Sequence, residues 1–295
     1  SGAAGIVANL GSGTVTNCYN SGYIGSTGNL VGGIVATGSN VTVTDCINIG
    51  IVDCKQTHGS VMGEVSKANA TISNLYYLEG TCEKGIGKVA NAETQTAAAK
   101  TAAELKKMIA DGDHPYKEQM LADLAVRAQE IADKAAAKNV DDLIDAIGDV
   151  VLTDDCKAAI DAARKAYEAL TDVQKELVSK LDTLTDAEAA YEALANQAAA
   201  KAVDDLIDAI GDVVLTDDCK AAIDAARKAY EALTDVQKAL VEKLDTLTAA
   251  EAAYKKLADD KAAVDDVIAK IDAIGKVKIT NTVKAAIDAA RAAYD

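Results

Sequence analysis

Along the first ninety residues apolar side chains alternate with Thr and Ser and are punctuated by Gly and Asn, whereas from about Tyr116 onward they recur at steps of three and four. Period-two alternation predicts short strands, and the longer step predicts helices with one apolar stripe. The chain therefore reads as two architectures in series, β then all-α.

In the first part Gly5-Ile6-Val7, Gly33-Ile34-Val35 and Gly63-Glu64-Val65 line up, as do Thr14-Val15-Thr16-Asn17-Cys18, Thr42-Val43-Thr44-Asp45-Cys46 and Thr71-Ile72-Ser73-Asn74-Leu75, at spacings of 28 to 30 residues. A unit this small cannot bury both of its faces alone, so the expected solution is a short β-solenoid of stacked coils. A flatter antiparallel sheet is the alternative.

In the second part the block Val140 to Lys175 recurs letter for letter as Val203 to Lys238, an offset of 63 residues, and a third copy starts near Val264. Cys156, Ile160, Ala163, Tyr167 and Leu170 form one helical stripe behind an N-cap at Thr153. Thr171 with Gln174 opens a second helix that carries Val173, Leu177 and Leu181 inward, and Thr185 with Glu188 caps a third. In that third helix Tyr191, Leu194, Ala198, Ala202, Leu206 and Ile210 keep helical spacing until Gly211, so it is expected to run straight into the next copy. The result is a tandem of three-helix-bundle repeats sharing continuous helices, a semi-rigid rod. Between the two parts Ala97 to Ala110 predicts a short helix, broken around Pro115. The expected domains are 1–90 (solenoid), 91–120 (junction with a short helix), 121–184 and 185–247 (helical repeats), and 248–295 (a partial third repeat).

Composition narrows the chemistry. The 295 residues carry no Phe or Trp, and 46 acidic against 30 basic side chains leave a formal charge of -16, which disfavours nucleic acid and anionic membranes. No stretch is long and apolar enough to insert in a membrane. Cys18 and Cys46 stand where the third coil has Leu75, and Cys156 and Cys219 where the third helical copy has Val283, so these thiols read as small buried apolar groups. Cys54 and Cys82 fall close together when the coils are aligned, leaving a disulfide open. No CxxC spacing supports zinc, and the two histidines, His58 and His114, lie in different architectures, so no catalytic residue, cofactor or metal site is expected. Asp141-Asp142 and Asp154-Asp155 have calcium-like composition, but the latter pair suits the first turn of a helix. Tyr167, Tyr230 and Tyr294 fall on the buried stripe. Tyr76 and Tyr77 point to opposite faces of a strand, which makes them the candidate exposed binding residues.

The stretches AAGIVANL, TVTNCYNSG, VGGIVATG and TVTDCINIG resemble the GLUG repeats of bacterial surface proteins, and NLYYLEGTCEKGIG resembles the close of such a run. Ala4 and the third unit, VMGEVSKANATISN, depart from that pattern. The helical phrase AIGDVVLTDDCKAAIDAARKAYEALTDVQKELV resembles FIVAR-like spacer modules of Gram-positive extracellular proteins, especially those of gut bacteria. These resemblances imply a non-catalytic structural or spacer region of a secreted or wall-attached protein, presenting other domains of the same polypeptide. The alternatives are an adhesin module that binds a host glycoprotein, a glycan or immunoglobulin, and an accessory segment of an IgA-peptidase-like or carbohydrate-active parent enzyme.

Overall fold

The computed structural model describes residues 2–27, 30–275 and 280–294; within the third helical copy, 276–279 and 295 lie outside the described residues. The chain divides into two compact units, Ser1–Asp142 with Lys165–Ser179, and Leu143–Arg164 with Lys180–Asp295.

The first unit begins with strands β1 (Gly2–Ala4), β2 (Val7–Thr16), β3 (Tyr19–Asn20), β4 (Ile24–Ser26), β5 (Leu30–Gly32), β6 (Val35–Asn48), β7 (Val52–Cys54), β8 (Thr57–Gly59), β9 (Met62–Val65), β10 (Thr71–Leu78), β11 (Ile86–Lys88) and β12 (Ala98–Lys100). Every pairing among these strands is parallel. Two-residue hairpins join only antiparallel strands, so a flat meander cannot give this pattern. The N-terminal part is a β-solenoid of about three turns. Its middle coil carries the long strand β6, which pairs with β2 and β3 on one side and with β9 and β10 on the other. Val35, Val43, Cys46, Met62, Ile72 and Leu75 fill the space the coils enclose.

The register keeps most of the expected alignment, with Thr14 opposite Thr42, Thr42 opposite Thr71, and Cys46 opposite Leu75. One triplet moves. Val35 pairs with Met62, so Ser60-Val61-Met62, and not Gly63-Glu64-Val65, takes the place of Gly33-Ile34-Val35. At Gly33 a Cβ would come within 2.2 Å of the Ser60 carbonyl oxygen, which is why glycine recurs there in the preceding coils. Each coil turns a corner at an Asn or Asp with positive φ, Asn17, Asp45 and Asn74, residue types that tolerate the left-handed region. The Asn74 side-chain amide donates to Asp45 Oδ1 at 2.8 Å, tying two corners together.

The expected junction turns out to be part of this unit. Residues 98–100 do not start a helix; they form β12 beside β10. Thr101 then caps helix α1 (Ala102–Asp111) in a capping box with Glu104. Leu105 and Ile109 of α1, with Met120 and Leu124 of α2 (Lys117–Asp145), pack against Ile47, Ile49 and Leu78 of the solenoid. Tyr19 Oη donates to Asp123 Oδ2 at 2.8 Å, and Arg127 Nη2 donates to the Ser21 carbonyl at 3.0 Å. Burial of this contact pushes the Tyr19 hydroxyl well above its ordinary pKa.

Beyond α2 the chain is helical: α3 (Asp154–Glu168), α4 (Asp172–Glu176), α5 (Leu181–Asp208), α6 (Asp217–Glu231), α7 (Asp235–Lys238), α8 (Leu244–Ile274) and α9 (Asn281–Tyr294). Thr153 Oγ1 accepts from the Cys156 N–H and Thr216 Oγ1 from the Cys219 N–H, the expected N-caps. The Thr171–Gln174 capping box also forms, but α4 is a five-residue helix whose Val173 is 60% exposed, so it does not carry that side chain inward. No cap forms at Thr185. The helix starts at Leu181, four residues earlier, with Lys180 paired to the Asp145 carboxylate at its entrance, and Thr185 Oγ1 instead donates to the Leu181 carbonyl within the helix. Glu188 is engaged elsewhere, accepting two hydrogen bonds from Arg164 at 2.6 Å.

Helix α5 is continuous, and its buried positions change face midway. Leu184 and Ala187 are buried in its first half, Ala200, Val203 and Ile207 in its second. At about 100° per residue these two sets lie on nearly opposite sides of the helix. Val203 and Ile207 of the second set pack with Cys219, Ile223 and Ala226 of α6 and Leu247 and Ala250 of α8. Ala198 and Leu206, expected on a single unbroken stripe, are exposed as a result.

Candidate functional site

Of the expected exposed aromatics, one is buried and the other half-buried. Tyr77 is 7% exposed and belongs to the solenoid core, and Tyr76 on the opposite face is half-buried against the cluster that α1 and α2 cover. The two side chains do alternate, but both faces of β10 are occupied. Tyr167 and Tyr230 are half-buried as the stripe implies, whereas Tyr294 is 75% exposed.

The nucleophile and ligand candidates are largely absorbed by structure. Cys46 lies in the core beside Leu75, and burial pushes its thiol up to about 12, far from a reactive thiolate. Cys54 and Cys82 share a small apolar cluster with Val31 and Val52, and burial raises the Cys82 thiol as well. His58 stands in strand β8, with Nδ1 at 2.7 Å from the Gln56 carbonyl. The acidic pairs serve helices: Asp141 accepts from the Ser179 N–H and hydroxyl, Asp142 pairs with Lys138, and Asp154 and Asp155 occupy the first turn of α3. The Thr columns face outward, Thr16 and Thr44 being linked hydroxyl to hydroxyl at 3.0 Å.

One surface that the sequence reading passed over has the geometry of a site. Strands β4 and β7 pair so that Gly25 lies opposite Asp53. Side chains two apart share a face, which sets Tyr23, Gly25 and Thr27 along one strand beside Asp53 and Lys55 on the next. A Cβ at Gly25 would meet the Tyr23 ring at 2.6 to 3.0 Å, so the ring lies against that bare backbone. Tyr23 Oη donates to Asp53 Oδ2 at 2.9 Å, a bond that raises the phenol pKa because ionisation would set two anions side by side. The ring is thereby fixed at both ends and still 60% exposed. It borders a shallow groove of about 600 Å³ lined also by Ser26, Thr27, Lys55 and Gln56. The signal was present in sequence as the triplet Tyr23-Ile24-Gly25, but only the coil register brings Asp53 to it.

These features define the class as a parallel β-solenoid followed by α-helices. No protein-family model matches the chain, and neither the curated proteins nor the solved structures include a match.

Proposed function

We propose that this chain is a non-catalytic spacer region of a secreted or wall-attached bacterial protein, in which tandem three-helix bundles share continuous helices and hold other domains of the same polypeptide apart. The observation that carries the reading is α5: one unbroken helix of 28 residues buries opposite faces in its two halves. At about 1.5 Å per residue it spans roughly 40 Å. Bending it would break main-chain hydrogen bonds in mid-helix.

Recurrence supports the same reading. Arg164–Glu188 returns as Arg227–Glu251, Tyr191 to the Thr153 carbonyl as Tyr254 to that of Thr216, and Lys180–Asp145 as Lys243–Asp208. The repeated block is identical even where it is exposed. A specific site needs one surface, whereas a spacer gains from repetition itself. The extracellular setting rests on the resemblance to GLUG and FIVAR-like repeats.

Inserting Gly-Pro between the exposed Ala198 and half-buried Ala199 tests the mechanical claim. Small-angle scattering of the full chain should show a broader size distribution for the insertion variant. An unchanged distribution would remove the mechanical basis, and saturable micromolar capture of immunoglobulin would favour an adhesin instead.

A further inference from the structure

We propose that the outer face of the β4–β7 sheet is a glycan-binding site, with Tyr23 as a stacking platform and Asp53, Lys55 and Gln56 as the polar groups that read hydroxyls. A pyranose has a face of C–H groups and a rim of hydroxyls. Its recognition therefore calls for an exposed ring beside planar donors and acceptors, and this groove offers both.

The arrangement has the order such a site requires. Tyr23 is held by the Asp53 carboxylate and by contact with Gly25, so little side-chain entropy is lost when a ligand stacks on it. The bond from Tyr23 uses Asp53 Oδ2 and turns that carboxylate toward the groove, where its oxygens accept sugar hydroxyls. Lys55 supplies ammonium donors, and the Gln56 amide both donates and accepts. A second, smaller groove of about 330 Å³ also touches Lys55 and Gln56 and continues past His58 to Glu83 and Lys84. Two adjoining grooves with shared polar residues suit an oligosaccharide better than a single ring. One nearly neutral set of charges, Asp53 with Lys55 and Glu83 with Lys84, favours an uncharged glycan over a sulfated or phosphorylated one. This face belongs to the solenoid alone, so the inference stands or falls apart from the spacer reading.

An open site of this size should bind a monosaccharide with a Kd on the order of 1 mM. The test uses the full chain and the methyl glycosides of galactose, mannose and N-acetylglucosamine, each at about 5 mM, followed by saturation-transfer and amide-shift NMR. At least one glycoside should receive saturation on one ring face and shift the amides of Tyr23, Gly25, Lys55 and Gln56. Tyr23→Ala should weaken that binding about tenfold, and Tyr23→Phe, which keeps the ring and loses the tether, should weaken it less. Amide-shift mapping on the unmutated chain decides the matter if Tyr23→Ala fails to fold. Absence of binding by all three glycosides, shifts located elsewhere, or equal binding by folded Tyr23→Ala would overturn the proposal.

Discussion

Asn48 shows how much a single residue carries in a thin coil. It is fully buried, donates to the Gly50 carbonyl at 2.8 Å and to Ser60 Oγ at 2.9 Å, and accepts from the Asn20 amide at 2.6 Å. Nothing of this is legible in the sequence, where NSG and NIG look like ordinary turns. Asn48→Leu strands several buried polar partners at once and is expected to cost about 2–4 kcal/mol in chemical denaturation. A loss under about 1 kcal/mol would mean that water replaces the network. The cysteines behave oppositely: substitution by Leu75 in the next coil already revealed Cys46 as a core residue, because burial, not thiol chemistry, sets its role.

At the scale of elements, the helices were readable and their ends less so. The Thr153 and Thr171 caps lie where the pattern puts them, since a hydroxyl three residues before a free N–H is a local arrangement. The beginning of α5 differs from the pattern because Thr185, a cap by residue type, lies inside the helix, where its hydroxyl donates back to the Leu181 carbonyl. Helices α6 and α8 are joined by a two-pronged ion pair. Arg227 Nε and Nη2 donate to Glu251 at 2.6 and 2.7 Å, and these bonds hold the Glu251 carboxyl below its ordinary pKa. A lowered folded-state pKa means the pair stabilises fully above the unfolded value, about 4.3, and its contribution fades as pH falls through the folded value. The thermal midpoint of Glu251→Gln should therefore lie below that of the parent chain at pH 7 and converge on it as acid carries the pH down through the folded-state value. A gap that persists unchanged in acid would show that packing, and not charge, was lost.

Over the whole chain, the solenoid and the segment after it are one folding problem. Ile47, Ile49 and Leu78 are buried in a cluster completed by Leu105, Ile109, Met120 and Leu124. A chain ending at Lys100 should bind a hydrophobic dye and melt without a cooperative transition, whereas one continued through Asp145 should do neither. Cooperative melting of the shorter chain, without dye binding, would make α1 and α2 dispensable. The sequence placed a junction at 91–120 because its composition changes there, yet composition marks a change of element and not the edge of a core.

What the sequence determined by itself is periodic and local: two repeat lengths, strand against helix, the Thr caps, and the exchange of Cys for Leu or Val at buried positions. Tertiary structure alone decided which faces are covered. Val203 and Ile207 are buried in α5, while Val267 and Ile271, their counterparts in the third copy, are respectively half-buried and exposed in α8. Tyr77 is enclosed and Tyr76 half covered, and Tyr23 is left open beside an aspartate from the next coil. The physical reason is that spacing fixes the direction of a side chain relative to its own backbone, but exposure depends on what packs against it, and those partners lie far along the chain.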